Sequence, residues 1–294
     1  MVHEHRRIHV IANPAAGQDR PVLGTLNNIF REHGFGWSLD VTNAYGDGER
    51  FARQAINEGA DLILAYGGDG TVSDVVNGMV GCEVPFSILP GGTGNVLAQG
   101  FGIPADLSSA LKQILKGRTV TVDLGKMFGR HFMLRADLGI SSASVSDTTR
   151  DLKQRFGVLA YLINAVQKLR DAVPLVYKLT IDGQPFEREA MTCFVTNMNE
   201  VGILNLTFSH EVRSNDGLLD VILIENIPDT VAGITAEIAR LQVGAASGFQ
   251  HWQGKQIHIE TTLVQKVRGD GENMGQTPVD IDVVPGAVQV LVPA

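Results

Sequence analysis

The chain has 294 residues, 44% of them hydrophobic, which is enough to bury a sizeable core in one large domain or two ordinary ones. Its formal net charge of −8 argues against general nucleic-acid binding and against a polybasic anchor on anionic membranes, while leaving room for a local basic face. Cys82 and Cys193 have no metal-ligand spacing and read as reduced, buried thiols of a cytoplasmic protein; the histidines show no paired spacing for zinc, and no apolar run is long enough to span a bilayer.

The charged residues 1–7 lead into an apolar run at 8–12, which predicts a first strand rather than a signal peptide. That strand ends in the turn Asn13-Pro14-Ala15-Ala16-Gly17. Val22, Leu23, Leu26, Ile29 and Phe30 then mark one face of a helix, with Gly34 as its stop. Residues 37–41 predict a second strand closed by Thr42, followed by a helix carrying Phe51, Ala52, Ala55 and Ile56. The apolar run from Asp61 to Tyr66 stops at Gly67-Gly68-Asp69-Gly70-Thr71, after which Val72, Val75, Val76 and Met79 recur at helical spacing. A similar unit follows: a strand at 84–89, the turn Leu89-Pro90-Gly91-Gly92-Thr93-Gly94-Asn95, then Val96-Leu97-Ala98. Leu107, Ala110, Leu111, Ile114 and Leu115 predict one more amphipathic helix, stopped by Gly117. This alternation predicts right-handed βαβ units, a mostly parallel sheet and an α/β nucleotide domain over residues 1–124.

After Asp123 the pattern changes. Residues 131–136 predict a strand, and 156–169 a nearly all-apolar helix whose bland reading is core packing. Residues 176–182 and 185–196 predict a hairpin around Asp182-Gly183. Further strands are expected at 218–224, 256–260, 279–284 and 287–292, the last two joined at Pro285-Gly286, with one amphipathic helix at 230–243. Residues 125–294 therefore predict a second, β-rich domain of mainly antiparallel sheet, with the packing of the last strand onto the first domain left open.

The glycine turns carry the chemistry. Glycine lacks a Cβ, so its backbone N–H can approach an anion closely, and a helix start adds unpaired N–H groups and the positive end of a dipole. Two such turns after successive parallel strands lie together at the carboxyl edge of the sheet, where open α/β sheets bind ligands. Asp69 would repel phosphate unless a divalent cation lies between them; the alternative is a helix cap in a βα loop. Asp270 and Glu272, in Gly269-Asp270-Gly271-Glu272, are candidate acid–base residues, the alternative being a polar hairpin turn. The turn Asn215-Asp216-Gly217-Leu218 suits either a hard cation or the start of a strand.

The pair Gly67-Gly68-Asp69-Gly70-Thr71 and Leu89-Pro90-Gly91-Gly92-Thr93-Gly94-Asn95 resembles the bacterial diacylglycerol kinase-like family of lipid kinases, related to the sphingosine kinases. The resemblance covers nearly the whole chain. It implies an α/β domain joined to a β-sandwich-like domain with the active site in the cleft between them. It implies ATP and Mg2+ as cofactors, a lipid acceptor, and reversible peripheral contact with a membrane surface from the cytoplasm. Nucleotide contacts are implied for Asn13, Pro14, Ala15, Ala16, Gly17, Thr42, Gly67, Gly68, Asp69, Gly70, Thr71, Gly91, Gly92, Thr93, Gly94 and Asn95. The glutamate of the Asp-Gly-Glu motif is taken in the family as the proton acceptor, which assigns that role to Glu272 with Asp270 in support, although either carboxylate suits. A structural magnesium ion is implied at Asp216 with the backbone carbonyls of Arg213 and Leu218.

The chain departs from the family pattern at Arg135 to Ala143 and at residues 207–212, on the acceptor side, so acceptor identity stays open, with diacylglycerol the default and sphingoid bases, phosphatidylglycerol or other lipids the alternatives. Two other readings remain. NAD kinases share Gly-Gly-Asp-Gly, but their Asn-Glu pair and Gly-Ser-Thr-Ala-Tyr-like stretch have no match in context here, since Asn199-Glu200 falls in the β-rich half. A nucleotide-binding regulator without acceptor chemistry is the other. Oligomeric state, a homo-oligomer included, is not fixed by any of these features.

Overall fold

A computed structural model of the chain describes residues 7–16, 21–139, 174–198, 213–225 and 249–294. The helices expected at 156–169 and 230–243, the segment 207–212, Asn199-Glu200 and Gly17 lie outside the described residues.

The first half alternates as its periodicity requires: β1 (Arg7–Ala12), α1 (Val22–Glu32), β2 (Gly36–Val41), α2 (Asp47–Asn57), β3 (Leu62–Gly67), α3 (Asp69–Met79), β4 (Phe86–Pro90), a short α4 (Val96–Gly100) and α5 (Leu107–Ile114). The strands pair in the order β2-β1-β3-β4, all parallel. Every residue of β3 and β4 is buried, because helices cover both faces of this sheet; that is why both strands read as unbroken apolar runs instead of alternating ones. Leu26, Ile29 and Phe30 of α1 and Leu107, Ala110, Leu111 and Ile114 of α5 enter the core, and the Asp106 carboxylate caps α5 by accepting the Ser109 N–H at 2.8 Å.

The rest is β-structure: β5 (Arg118–Met127), β6 (Arg130–Phe132), β7 (Arg135–Leu138), β8 (Leu175–Ile181), β9 (Gln184–Ala190), β10 (Thr192–Thr196), β11 (Leu219–Ile224), β12 (Phe249–Gly254), β13 (Gln256–Thr261), β14 (Lys266–Gly269), β15 (Glu272–Gln276) and β16 (Val279–Val292). Among the described residues one sheet runs β2-β1-β3-β4-β16-β13-β8-β9, with β5 and β6 branching from β16, and the other runs β12-β11-β10-β7-β14-β15. Tyr177, Leu179, Ile257, Ile259 and Ile281 of the first sheet share a core with Leu138, Val195, Leu219, Val221 and Val267 of the second. An α/β domain with a mostly parallel sheet thus precedes a β-rich, sandwich-like domain, as the sequence predicts.

Three boundaries differ from expectation. Residues 279–292 form one strand, not two. Pro285-Gly286 makes a bulge at the register shift between Val284 and Val288, where Gly286 has φ 58° and donates its N–H to Asp123 Oδ1 at 2.7 Å. The far half of β16 packs back into the first sheet, parallel to β4 at Val290 and antiparallel to β5. The strand expected at 131–136 breaks, because the N–H groups of Met133 and Leu134 turn to the Asp270 carboxylate instead of a neighbouring strand. The segment 185–196 breaks at Met191, so that β9 stays in the first sheet and β10 enters the second.

Candidate active site

The turns after β1, β2, β3 and β4 meet at one edge of the parallel sheet. Asn13 donates its N–H to the Tyr66 carbonyl at 2.9 Å, and Thr42 donates its N–H to the Ala12 carbonyl at 2.9 Å. The Asn13 side chain accepts the Ala15 N–H at 2.9 Å and donates to Thr71 Oγ1 at 3.0 Å, which ties the first turn to the start of α3. Pro14 and Ala15 are exposed beside it.

The two glycine turns are built against each other. Gly91 and Gly92 both donate their N–H to the Gly67 carbonyl, at 2.9 and 3.2 Å. A Cβ on Gly92 would lie 2.6 Å from Gly68 Cα, so only glycine permits this approach. Asn95, with φ 50°, closes the second turn: its Oδ1 accepts the Gly92 N–H at 2.9 Å and its Nδ2 donates to the Gly92 carbonyl at 2.7 Å. Asp69 Oδ1 accepts the Leu97 N–H at 3.0 Å, so this carboxylate links the first turn to the helix after the second. Its Oδ2 faces Gly94. The amides of Gly91 and Gly92 hold the turns together and do not present themselves to an anion. The N–H groups of Asp69, Gly70 and Thr71 open α3 and have no acceptor within the helix. Thr93 and Gly94 are exposed next to them.

The Asp-Gly-Glu segment approaches from the other sheet. Asp270 and Gly271 sit at the tip of the β14–β15 hairpin with φ 50° and 88°, and Glu272 is the first residue of β15. The Asp270 carboxylate turns inward. Oδ2 accepts the Met133 N–H at 2.8 Å, and Oδ1 accepts the N–H groups of Leu134 and Arg135 at 2.8 and 3.1 Å. Loss of water pushes its pKa up to about 6 against the lowering effect of these donors. Glu272 instead reaches the glycine turns: its Oε1 lies 3.2 Å from the place a Cβ on Gly70 would take. Glu272 is half-buried, and its pKa is raised chiefly by loss of water, opposed by a hydrogen bond from Tyr45 and by the charge of Arg130.

Tyr45, Asp74 and Arg130 were not legible as site residues. Asp74 lies on the buried face of α3, where Oδ2 accepts the N–H groups of Gly46 and Gly48 at 3.1 and 2.8 Å. The one available signal was a carboxylate and an amide, Asp74 and Asn77, three residues apart in a helix whose apolar residues are all buried.

At the Arg213–Leu218 turn, Asp216 is exposed and its Oδ1 accepts the Leu218 N–H at 3.1 Å. The turn is pinned to β5: Asp123 donates its N–H to the Ser214 carbonyl and accepts the Gly217 N–H at Oδ2, both at 2.7 Å. The Asp216 pKa is raised, chiefly by loss of water and further by the Asp220 and Asp123 carboxylates, against a lowering hydrogen bond from Leu218. Among the described residues no three of His, Cys, Asp or Glu gather as a metal cluster, so a cation at this turn would need backbone carbonyls. A groove of about 400 Å³ opens beside it, lined by Phe101, Val120, Met198 and Val292 together with the exposed Arg118 and Arg213.

Comparison with known proteins agrees with this architecture. The family model described as diacylglycerol kinase catalytic domain matches residues 7–127, and that described as YegS C-terminal NAD kinase beta sandwich-like domain matches residues 136–292. An uncharacterized Synechocystis protein is 30% identical over 306 residues, covering 97% of this chain and 70% of its own. A Bacillus subtilis protein named diacylglycerol kinase is 28% identical over 285 residues, covering 93% of this chain and 92% of its own. The crystal structure of a diacylglycerol kinase from Bacillus anthracis superposes with a TM-score of 0.79 at 27% identity, covering 98% of this chain and 97% of that one. The chain belongs to the diacylglycerol kinase-like family. No helix among the described residues is long and apolar enough to cross a membrane.

Proposed function

We propose that this chain is an ATP- and magnesium-dependent kinase that transfers the γ-phosphoryl group to a lipid hydroxyl, with diacylglycerol or a related lipid as acceptor. The observation that carries the reading is Glu272, a carboxylate from the second sheet set against Gly70 at the start of α3. Phosphoryl transfer asks mainly for positioned phosphates, neutralised charge and a proton acceptor beside the attacking hydroxyl. The phosphates belong at the N–H groups of Asp69, Gly70 and Thr71, with the turns at Asn13, Thr42 and Thr93 around them. The acceptor oxygen bonds to the γ-phosphorus as the bridging P–O bond breaks and ADP leaves with the electron pair, and the acceptor proton passes to Glu272. Asp270 has both oxygens on amide donors and acts by holding the hairpin tip.

Magnesium would neutralise the charge developing on the phosphates. Asp69 fits such an ion because its Oδ2 is not the oxygen held by Leu97. A second, structural ion would lie at Asp216 with the carbonyls of Arg213 and Leu218. The mixed apolar and cationic lining of the Phe101–Val292 groove favours an amphiphilic acceptor taken up at a membrane surface from the cytoplasm.

The test incubates the protein with γ-labelled ATP, magnesium and a mixed lipid extract, beside Asp69→Ala and Glu272→Gln. Label in the organic phase, lost in both variants, supports a lipid kinase. Conversion of NAD in a parallel reaction, with no labelled lipid, refutes it in favour of an NAD kinase.

A further inference from the structure

A glutamate at a hairpin tip has three free side-chain torsions, and ordering such a side chain costs up to about 2 kcal/mol. Glu272 nevertheless lies against α3, and the groups around it come from the turn after β2, from α3 and from β6. The Tyr45 hydroxyl and the Arg130 guanidinium both favour its charged carboxylate, opposing the effect of burial. Tyr45 is 64% exposed, so core packing does not fix its ring. The Arg130 guanidinium does, 4.9 Å from the ring centroid, within the range of a cation–π contact.

Arg130 is itself bracketed by Asp74 of α3 at 3.5 Å and Glu49 of α2 at 3.7 Å. Asp74, 7% exposed, uses its other oxygen to accept the N–H groups of Gly46 and Gly48, the backbone just after Tyr45. The start of β6, and with it Arg130, is fixed by Asn77, whose Oδ1 accepts the His131 N–H at 2.9 Å. One buried carboxylate therefore anchors both the turn that carries Tyr45 and the cation that orients its ring. The charged and titratable groups facing Glu272 are Tyr45, Arg130 and Asp74, with Glu49 behind Arg130.

We propose that Tyr45 and Arg130 are positioning residues that fix where the Glu272 carboxylate meets the acceptor hydroxyl, acting in the chemical step and not in nucleotide binding. The inference rests on the reading of Glu272 as proton acceptor. Nothing else in the described structure accounts for an exposed tyrosine clamped between an arginine and a carboxylate at the junction of two domains.

The experiment measures kcat and the KM for ATP with γ-labelled ATP, magnesium and dioleoylglycerol dispersed in a total bacterial lipid extract. Tyr45→Phe deletes the hydroxyl and keeps the ring; kcat falls about tenfold with the KM for ATP unchanged, since a mis-set reacting group costs rate more than binding. Arg130→Met gives a similar fall, and Arg130→Lys recovers most of it. In a Glu272→Gln background Tyr45→Phe costs nothing further, because its target is already gone. A Tyr45→Phe enzyme within twofold of the wild-type kcat overturns the proposal. So does a rise in KM for ATP with kcat intact, which makes Tyr45 a nucleotide contact, and so does an equal penalty in both backgrounds. Should Arg130→Met not fold, the Tyr45 and Glu272 pair decides alone. Glu272→Gln at the wild-type rate, or a wild-type protein that labels no lipid, refutes the kinase reading itself and is distinct from all of these.

Discussion

The contact between the two glycine turns predicts an asymmetry that can be measured. A methyl group added at Gly92 would lie 2.6 Å from Gly68 Cα, 3.2 Å from the Gly68 nitrogen and 3.1 Å from Asn95 Oδ1, and two of these neighbours are backbone. Carbon atoms rest about 3.5–4.0 Å apart, so the turns must separate by about 1 Å. That stretches the two N–H bonds from Gly91 and Gly92 to the Gly67 carbonyl, now 2.9 and 3.2 Å, to or beyond their limit. Two backbone hydrogen bonds at about 1 kcal/mol each, with an overpacking penalty of about 1–2 kcal/mol, give a loss of about 3–4 kcal/mol for Gly92→Ala. The reciprocal change is mild: a Cβ on Gly68 meets Gly92 Cα at 3.5 Å, an ordinary contact, and Gly68 has an extended backbone with φ −90°. Gly68→Ala is therefore expected within about 1 kcal/mol of wild type. The assay is urea unfolding followed by tryptophan fluorescence. Trp37 of β2 reports the first sheet once Trp252 of β12 is replaced by phenylalanine. Equal effects of the two alanines, or a Gly92→Ala protein as stable as wild type, refutes the claim that these turns are in backbone contact.

Three further outcomes follow from the site. Asp69→Asn keeps an acceptor for the Leu97 N–H whereas Asp69→Ala does not, so the alanine variant loses about 1–2 kcal/mol in thermal unfolding and the asparagine variant much less, while both lose kinase activity if the carboxylate faces a cation. Because the Glu272 pKa is raised, protonation removes the proton acceptor as pH falls, and a kcat–pH profile should show its acidic limb above the ordinary glutamate range of about 4.3. Asp123→Ala removes two 2.7 Å bonds, to Gly217 and Gly286, that join the Asp216 turn and the β16 bulge to β5; a loss of about 3 kcal/mol or more is expected in denaturant unfolding.

The first half of the fold was legible because each of its signals is local. β3 and β4 are apolar runs ended by glycine, α1 and α5 carry helical periodicity, and the turns between them are short. The second half was less so, because its elements are decided by partners far away in sequence. Met133 and Leu134 leave the strand pattern for Asp270, 136 or more positions later, and no periodicity records that exchange. Pro285-Gly286 reads as a break in any window, yet Asp123 turns it into a bulge within one strand. The site divides in the same way. The glycine turns and the Asp-Gly-Glu tip were visible as motifs, but not that the Asp270 carboxylate turns inward onto three amides while Glu272 faces Gly70. Tyr45, Asp74 and Arg130 form no motif, since each comes from a separate element and they meet only in space.

The path of β16 bears on how the molecule can be made. Residues 288–292 pair with β5, and Val290 also pairs with Phe86 of β4, so the sheet that carries the glycine turns has a gap until those residues exist. A ribosome adding about 5–20 residues per second has by then synthesised the chain through both domains. The α/β domain therefore cannot complete its sheet as an early, independent unit during translation. Its nascent form exposes one side of β4, an unpaired strand edge open to wrong partners. A fragment ending before Val288 should leave the first sheet open between β4 and β5 while keeping the pairing of residues 279–282 with β13.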